Sequence, residues 1–141
     1  MADLSALIRL HKHTLDQKRA VLAQLQMALA ALEQERLRLE EEFIREKKAV
    51  DENGDVSFTF PAYADAVKKR RQAIDARETE LLAEIEAAKE SMMETFSELK
   101  KFEMTQAERD RLAQEERRLK ENRLMDEIGL EGFRRKSDDN L

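Results

Sequence analysis

Apolar side chains recur along the first third of the chain at alternating steps of four and three. The series runs Leu4, Ile8, His11, Leu15, Lys18, Leu22, Leu25, Leu29, Leu32, Arg36, Leu39, Phe43, Glu46 and Val50, and ten of these fourteen positions are apolar. A repeat averaging 3.5 residues keeps one stripe facing a partner helix only when the two helices wind around each other with a left-handed supercoil. No Gly or Pro interrupts the run before Asn53-Gly54, where Gly suits the left-handed conformation that ends a helix. The pattern predicts a first helix over about residues 3–52.

Residues 55–61, DVSFTFP, change character. Val56, Phe58 and Phe60 alternate with polar neighbours, which reads as a short extended connection. Pro61 sits where the first turn of a helix tolerates it, with Thr59 or Phe60 at the cap. A turn is therefore expected over about residues 53–61. A second series follows at the same spacing: Val67, Arg71, Ile74, Glu78, Leu81, Ile85, Ala88, Met92, Thr95, Leu99 and Phe102, eight of the eleven apolar. Past Phe102 the register slips and the stripe thins to Leu112, Leu119, Leu124 and Met125. Gly129 is the next stop signal, so the second helix is expected over about residues 62–128 with a frayed tail at 129–141.

The fold class expected is all-α: one domain, residues 1–141, a long antiparallel two-helix coiled-coil hairpin with a C-terminal helical overhang. At 1.5 Å per residue the helices would be about 75 and 100 Å long, leaving the second to project by two to three turns or more. The expected form is an elongated monomer whose overhang is free to fray, dimerise or insert into another protein. Ion pairs at four-residue spacing support the exposed faces: Glu41 with Arg45, Asp65 with Lys69, and Glu116 with Lys120, each worth a few tenths of a kcal/mol.

Composition narrows the picture further. Charged residues make up 40% of the 141, aromatics only 5%, with three Gly, one Pro, and no Cys or Trp. A sheet-based enzyme with many loops would need far more Gly and Pro, and too few bulky apolar residues are present for a thick globular core. The absence of Cys excludes a disulfide framework and thiolate metal sites, and is compatible with a reducing compartment. No signal peptide is expected at residues 1–12, and the most apolar stretch, residues 20–32, is too short to span a bilayer. A net charge of -5 argues against nucleic-acid binding through a basic surface.

Catalytic chemistry is not legible. His11 and His13 are two apart and project to different faces of a helix, whereas a metal pair needs a spacing of three or four. There is no Gly-rich phosphate loop, no Ser-His-Asp set and no Cys nucleophile. The carboxylates, on a two-helix layer without a pocket, have nothing to tune them for acid–base work. The sequence reads as a non-enzyme without cofactor or metal.

Binding surfaces are more promising. Phe43, Phe58, Phe60 and Tyr63 cluster about the turn; Phe43 is expected to plug the hairpin end, while Phe58, Phe60 and Tyr63 are equally suited to docking a partner. Beside them lie two basic runs, Arg45/Lys47/Lys48 and Lys68/Lys69/Arg70/Arg71, expected to face each other across the hairpin as a positive collar for an acidic partner. At the other end, Leu4 and Ile8 with Leu112, Leu119, Leu124, Met125 and Ile128 form a second candidate surface. Lys18 and Arg36 weaken the seam locally and are candidates to set its register. The terminal segment with Phe133, Arg134 and Arg135 is expected to be a disordered basic tail, with a short docking element as the alternative.

The segment LIRLHKHTLDQKRAVLAQLQ at residues 7–26, the single hairpin, and ERRLKENRLMDEIGLEGFRRK at residues 116–136 together resemble the FliJ family, small soluble components of the bacterial flagellar type III export apparatus. The likeness covers essentially the whole chain, and Leu124 to Arg135 carry the most weight. It implies an antiparallel coiled coil similar to the central stalk of rotary ATPases. It also implies partners: a hexameric export ATPase whose pore the stalk enters, the cytoplasmic domain of the export gate, and export chaperones. The location implied is cytoplasmic, peripheral at the inner membrane through those partners, in flagellar assembly and motility. The alternatives are the equivalent stalk of a virulence-type secretion system, a coiled-coil holdase chaperone, and a scaffold in which the hairpin opens to pair with another copy.

Overall fold

The computed structural model describes residues 3–53 and 58–139. Two helices account for nearly all of them: α1, Ser5–Asn53, and α2, Phe60–Asp139. They pack against each other, and the described residues contain no strand. Strong helix formers fill both elements, and each start is locally specified. The Asp3 carboxylate accepts hydrogen bonds from the Ser5 backbone N–H at 3.0 Å and the Ser5 hydroxyl at 2.6 Å, occupying a donor that the first turn of a helix leaves unpaired. Those two bonds hold the Asp3 carboxyl below its ordinary pKa. In α2 the Tyr63 N–H donates to the Thr59 carbonyl at 3.0 Å, and Pro61 falls in the first turn, where its missing N–H costs nothing.

α1 ends at Asn53, next to the expected stop. Residues 54–57, with Gly54 and Val56, lie outside the described residues; the rest of the expected extended connection is not extended, since Phe58 and Thr59 form a turn and Phe60 and Pro61 already belong to α2. The other end differs from expectation. α2 does not stop at Gly129 but runs through Gly129 and Gly132 to Asp139, so residues 129–139 are helix and not a frayed tail. A glycine weakens a helix by about 1 kcal/mol without ending it unless the backbone has reason to turn. No atom crowds either glycine, Glu131 pairs with Arg135 at 3.4 Å across the intervening turn, and Lys136 sits by the negative pole of the last turn.

The chain divides into two compact units. In Lys12–Phe96, Lys18 meets Thr95, Arg36 meets Asp75 and Glu78, and Glu40 meets Arg71. Partner numbers fall as α1 numbers rise, so the two segments run antiparallel. The core of this unit is Leu32, Ile74 and Leu81, with Leu25, Leu29 and Leu39 packed against it; Leu15, Val67 and Ile85 are also buried. Ile74 and Leu81, each 1% exposed, contribute about 1.5–3 kcal/mol apiece by burial. In the described part of the second unit, Met1–His11 with Ser97–Leu141, the Leu4 N–H donates to the Gln106 side-chain oxygen at 3.0 Å. The His11 ring lies 4.8 Å from Phe102, and Leu99 is buried.

Of the fourteen positions in the first series, only Glu46 is exposed, and none of the eleven in the second is. Polar members of the series are absorbed by specific partners. The Lys18 ammonium donates to the buried Thr95 hydroxyl and, at 3.2 Å, to the Ser91 carbonyl. Arg36 reaches Asp75 at 2.6 Å and also Glu78, and the Asp75 hydrogen bond is the main reason its pKa is raised.

Candidate interaction surfaces

The aromatic cluster of the Lys12–Phe96 unit divides in two. Phe43, Phe60 and Tyr63 pack ring on ring, with centroids 6.2–6.3 Å apart. The Arg71 guanidinium lies 4.8 Å from the Phe43 centroid while holding Glu40 through two hydrogen bonds of 2.5 and 2.8 Å. Phe43 plugs as expected, and Phe60 and Tyr63, equally suited to docking, join it; all three are half-buried. Phe58 takes no part: it is 97% exposed. Beside the plug, Glu46, Val50, Thr59, Phe60 and Tyr63 line a cleft of about 330 Å³. The Tyr63 hydroxyl is buried there without a hydrogen-bond partner among the described residues. Burial, followed by the charges of Glu42 and Glu46, raises its pKa.

The basic runs do not form the expected collar. Arg70 and Arg71 meet Glu35 and Glu40 of α1, Lys69 pairs with Asp65 at 3.3 Å, and Lys48 with Glu52 at 3.8 Å. The reason is register. Partners such as 36 with 75 and 40 with 71 sum to 111, which places 70–71 opposite the acidic stretch near residue 40 and not opposite 45–48. Arg45, Lys47 and Lys68 make no ion pair among the described residues, so the positive charge left over is that of three scattered side chains. The exchange with Arg71 holds Glu40 below its ordinary pKa. Of the four-residue pairs expected from sequence, Asp65–Lys69 and Glu116–Lys120 (3.4 Å) form, while Glu41 and Arg45 do not pair.

Within the second unit, the residues grouped as a terminal surface behave differently from one another. Leu4 and Ile8 are half-buried, whereas every residue from 111 to 139 is exposed. Leu112, Leu119, Leu124, Met125 and Ile128 lie between 45% and 67% exposed, joined by Leu130 at 60% and Phe133 at 72%. At 100° per residue they fall on two faces. Leu112, Leu119, Leu130 and Phe133 share one, and Leu124, Met125 and Ile128 lie on the opposite one. A helix reaching residue 128 already sets Leu112 and Leu119 opposite Leu124, Met125 and Ile128; its continuation through both glycines adds Leu130 and Phe133 to the first face. His11 is held by its ring contact with Phe102, by donation from Nδ1 to the Leu7 carbonyl at 2.9 Å, and by Glu98 at 3.4 Å from Nε2; His13 is exposed.

Among the described residues no three His, Asp or Glu side chains come together to hold a metal ion, and no helix is long and apolar enough to cross a membrane. Comparison with protein-family models, curated proteins and solved structures finds no match to this chain.

Proposed function

We propose that this chain is a non-enzymatic, FliJ-like stalk of a bacterial type III export ATPase, an antiparallel left-handed coiled-coil hairpin with a C-terminal helical overhang. The observation that carries the proposal is the pairing of a near-unbroken 3.5-residue seam on both helices with an exposed, apolar-studded α2 segment at residues 111–139. Two helices side by side, each about 10–12 Å across, have a section suited to a ring pore. An axle acts by making different contacts with successive ring conformations and so biasing their populations, which needs surface asymmetry and no chemistry of its own. The segment containing Leu112, Leu119, Leu124, Met125 and Ile128 would enter the ATPase ring. Phe58, fully presented beside the Phe43–Phe60–Tyr63 plug, would contact the export gate's cytoplasmic domain or export chaperones. The protein would then work in the cytoplasm, at the inner membrane only through its partners.

The test is the turnover of the cognate hexameric ATPase with sub-stoichiometric amounts of this protein, which should rise. In parallel, Phe58→Ala should weaken binding to the gate domain with no change in helicity or melting. Unchanged turnover together with suppressed aggregation of unfolded clients would replace the stalk with a holdase. Flagellar or virulence-type genes beside the coding sequence separate the two secretion systems.

A further inference from the structure

The exposed end of α2 carries a charge pattern that the stalk reading does not use. Residues 111–139 contain eight basic and eight acidic side chains, so the segment is neutral, yet the signs are segregated. Glu115 and Glu116 are followed by a mainly basic block (Arg117, Arg118, Lys120 and Arg123, interrupted by Glu121), an acidic block (Asp126, Glu127, Glu131), a second basic block (Arg134, Arg135, Lys136) and the acidic pair Asp138 and Asp139. A surface meant for a polyanion or an acidic protein would carry one sign. Alternating blocks of opposite sign fit their own reverse.

The apolar face agrees. Leu112, Glu116, Leu119, Arg123, Asp126, Leu130, Phe133 and Ser137 follow one another at steps of four and three, an eight-position seam half of which is apolar and all of which is exposed. It is offset from the first seam of α2, whose last half-buried members are Phe102, Gln106 and Arg109. A three-residue step from Arg109 to Leu112 replaces the four due there, the local change that turns a stripe toward a new side of the helix.

We infer that residues 112–137 pair with the same residues of a second copy, antiparallel and two-fold symmetric, in the register where facing residue numbers sum to 249. That register sets Leu119 against the other copy's Leu130, Leu112 against Ser137 and Glu116 against Phe133. At the centre Arg123 faces Asp126, twice by symmetry. The flanking positions also match in sign: Lys120 with Glu127 and Glu115 with Lys136. Arg123, Asp126, Glu127 and Lys136 make no ion pair among the described residues. Arg123 and Asp126 leave each other alone, although their three-residue separation is the one that joins Glu108 to Arg111 and Glu115 to Arg118. Competing arrangements lose charge complementarity. A parallel in-register pair sets Arg123 on Arg123 and Asp126 on Asp126. An antiparallel shift of one heptad, to a sum of 242, sets Glu116 on Asp126. Like-charge juxtaposition of this kind is what fixes register in coiled coils. With fewer than four heptads and a charged central layer, the dimer is weak.

The inference stands whether or not the stalk reading does, and it replaces the expected monomer with a concentration-dependent equilibrium. Analytical ultracentrifugation of the full chain from about 1 µM to about 1 mM, the range where weak contacts titrate, should show the mass rising toward twice the monomer. Arg123→Asp alone and Asp126→Arg alone should each shift the midpoint at least about tenfold to higher concentration with helicity unchanged, a shift of about 1.4 kcal/mol. Mixing the two variants should restore association, because both central contacts become complementary. The chain has no Cys, so a spin label on Ala113→Cys is selective; antiparallel pairing puts the two labels about 35 Å apart along the axis, parallel pairing side by side. A mass that stays monomeric throughout overturns the proposal. So does a mixture that fails to associate, or labels that lie side by side.

Discussion

Leu81→Ala is the sharpest probe of the register on which the contacts between helices in the Lys12–Phe96 unit depend. Leu81 is 1% exposed and packs in the cluster with Leu32 and Ile74, while its neighbour Leu82 is 50% exposed. Truncation removes three buried carbons, and at about 0.8 kcal/mol per methylene the transfer cost is about 2.4 kcal/mol. A sealed core would add a cavity cost that brings such changes to as much as about 5 kcal/mol. Here a groove of about 400 Å³ borders both Leu32 and Leu81, so water or a shifted side chain can enter the space and the cavity cost is small. The expected loss is therefore about 2.5–3.5 kcal/mol, against less than about 0.5 kcal/mol for Leu82→Ala. Urea unfolding at equilibrium, followed by circular dichroism, reads the difference as a shift in midpoint at constant slope. A rotation of α2 by one residue would exchange the two results. Equal losses, or a loss below about 1 kcal/mol for Leu81→Ala, would refute both the seam and the antiparallel register built on it.

The other expectations concern polar groups inside the packing. Tyr63→Phe should leave the melting temperature unchanged or raise it slightly, since the hydroxyl is buried without a described partner and its removal relieves a desolvation cost of about 1 kcal/mol; a clear drop in a thermal scan would show that the hydroxyl is bonded. Thr95→Val should cost about 1 kcal/mol in urea unfolding, because the half-buried Lys18 ammonium loses its hydroxyl acceptor and keeps only the Ser91 carbonyl, whereas Lys18→Met combined with Thr95→Val should be nearly neutral. Glu40 is depressed by Arg71, so its pairing stabilises the fold at neutral pH, where the carboxylate is charged, and that support is lost as pH falls below the ordinary glutamate value of 4.5 and through the lower folded value. Carboxyl NMR should find Glu40 titrating below the exposed glutamates, and Arg71→Gln should move it back up; no movement would mean the pair does not form in solution.

The helices and their contact faces were legible because a 3.5-residue repeat states both the element and the side it buries. Only Glu46 departs from the two series, and it lines the open cleft beside Tyr63. What was not legible depends on register, which couples residues distant in sequence. Nothing local to Lys68–Arg71 says that Arg70 and Arg71 will be taken by Glu35 and Glu40, so the runs looked like free positive charge. Phe58 and Phe60 look equivalent in an alternating stretch; the start of α2 at Phe60 carries that ring onto Phe43 and leaves Phe58 in the preceding turn, outside the packing.

The end of α2 departs from its sequence signal for a different reason. A stop at Gly129 treats glycine as a terminator, but termination needs a residue in the left-handed conformation together with contacts that reward the turn. A Cβ at Gly129 or Gly132 would meet no atom within 4 Å beyond the local helix backbone, so no packed neighbour at that position draws the chain aside, and the surrounding residues favour helix locally. Both proposals for this end rest on that continuation. Only an unbroken helix holds Leu119 and Leu130 on one face with Arg123 and Asp126 between them. A frayed tail would scatter the same residues and remove the basis of both the proposed ring contact and the proposed self-pairing.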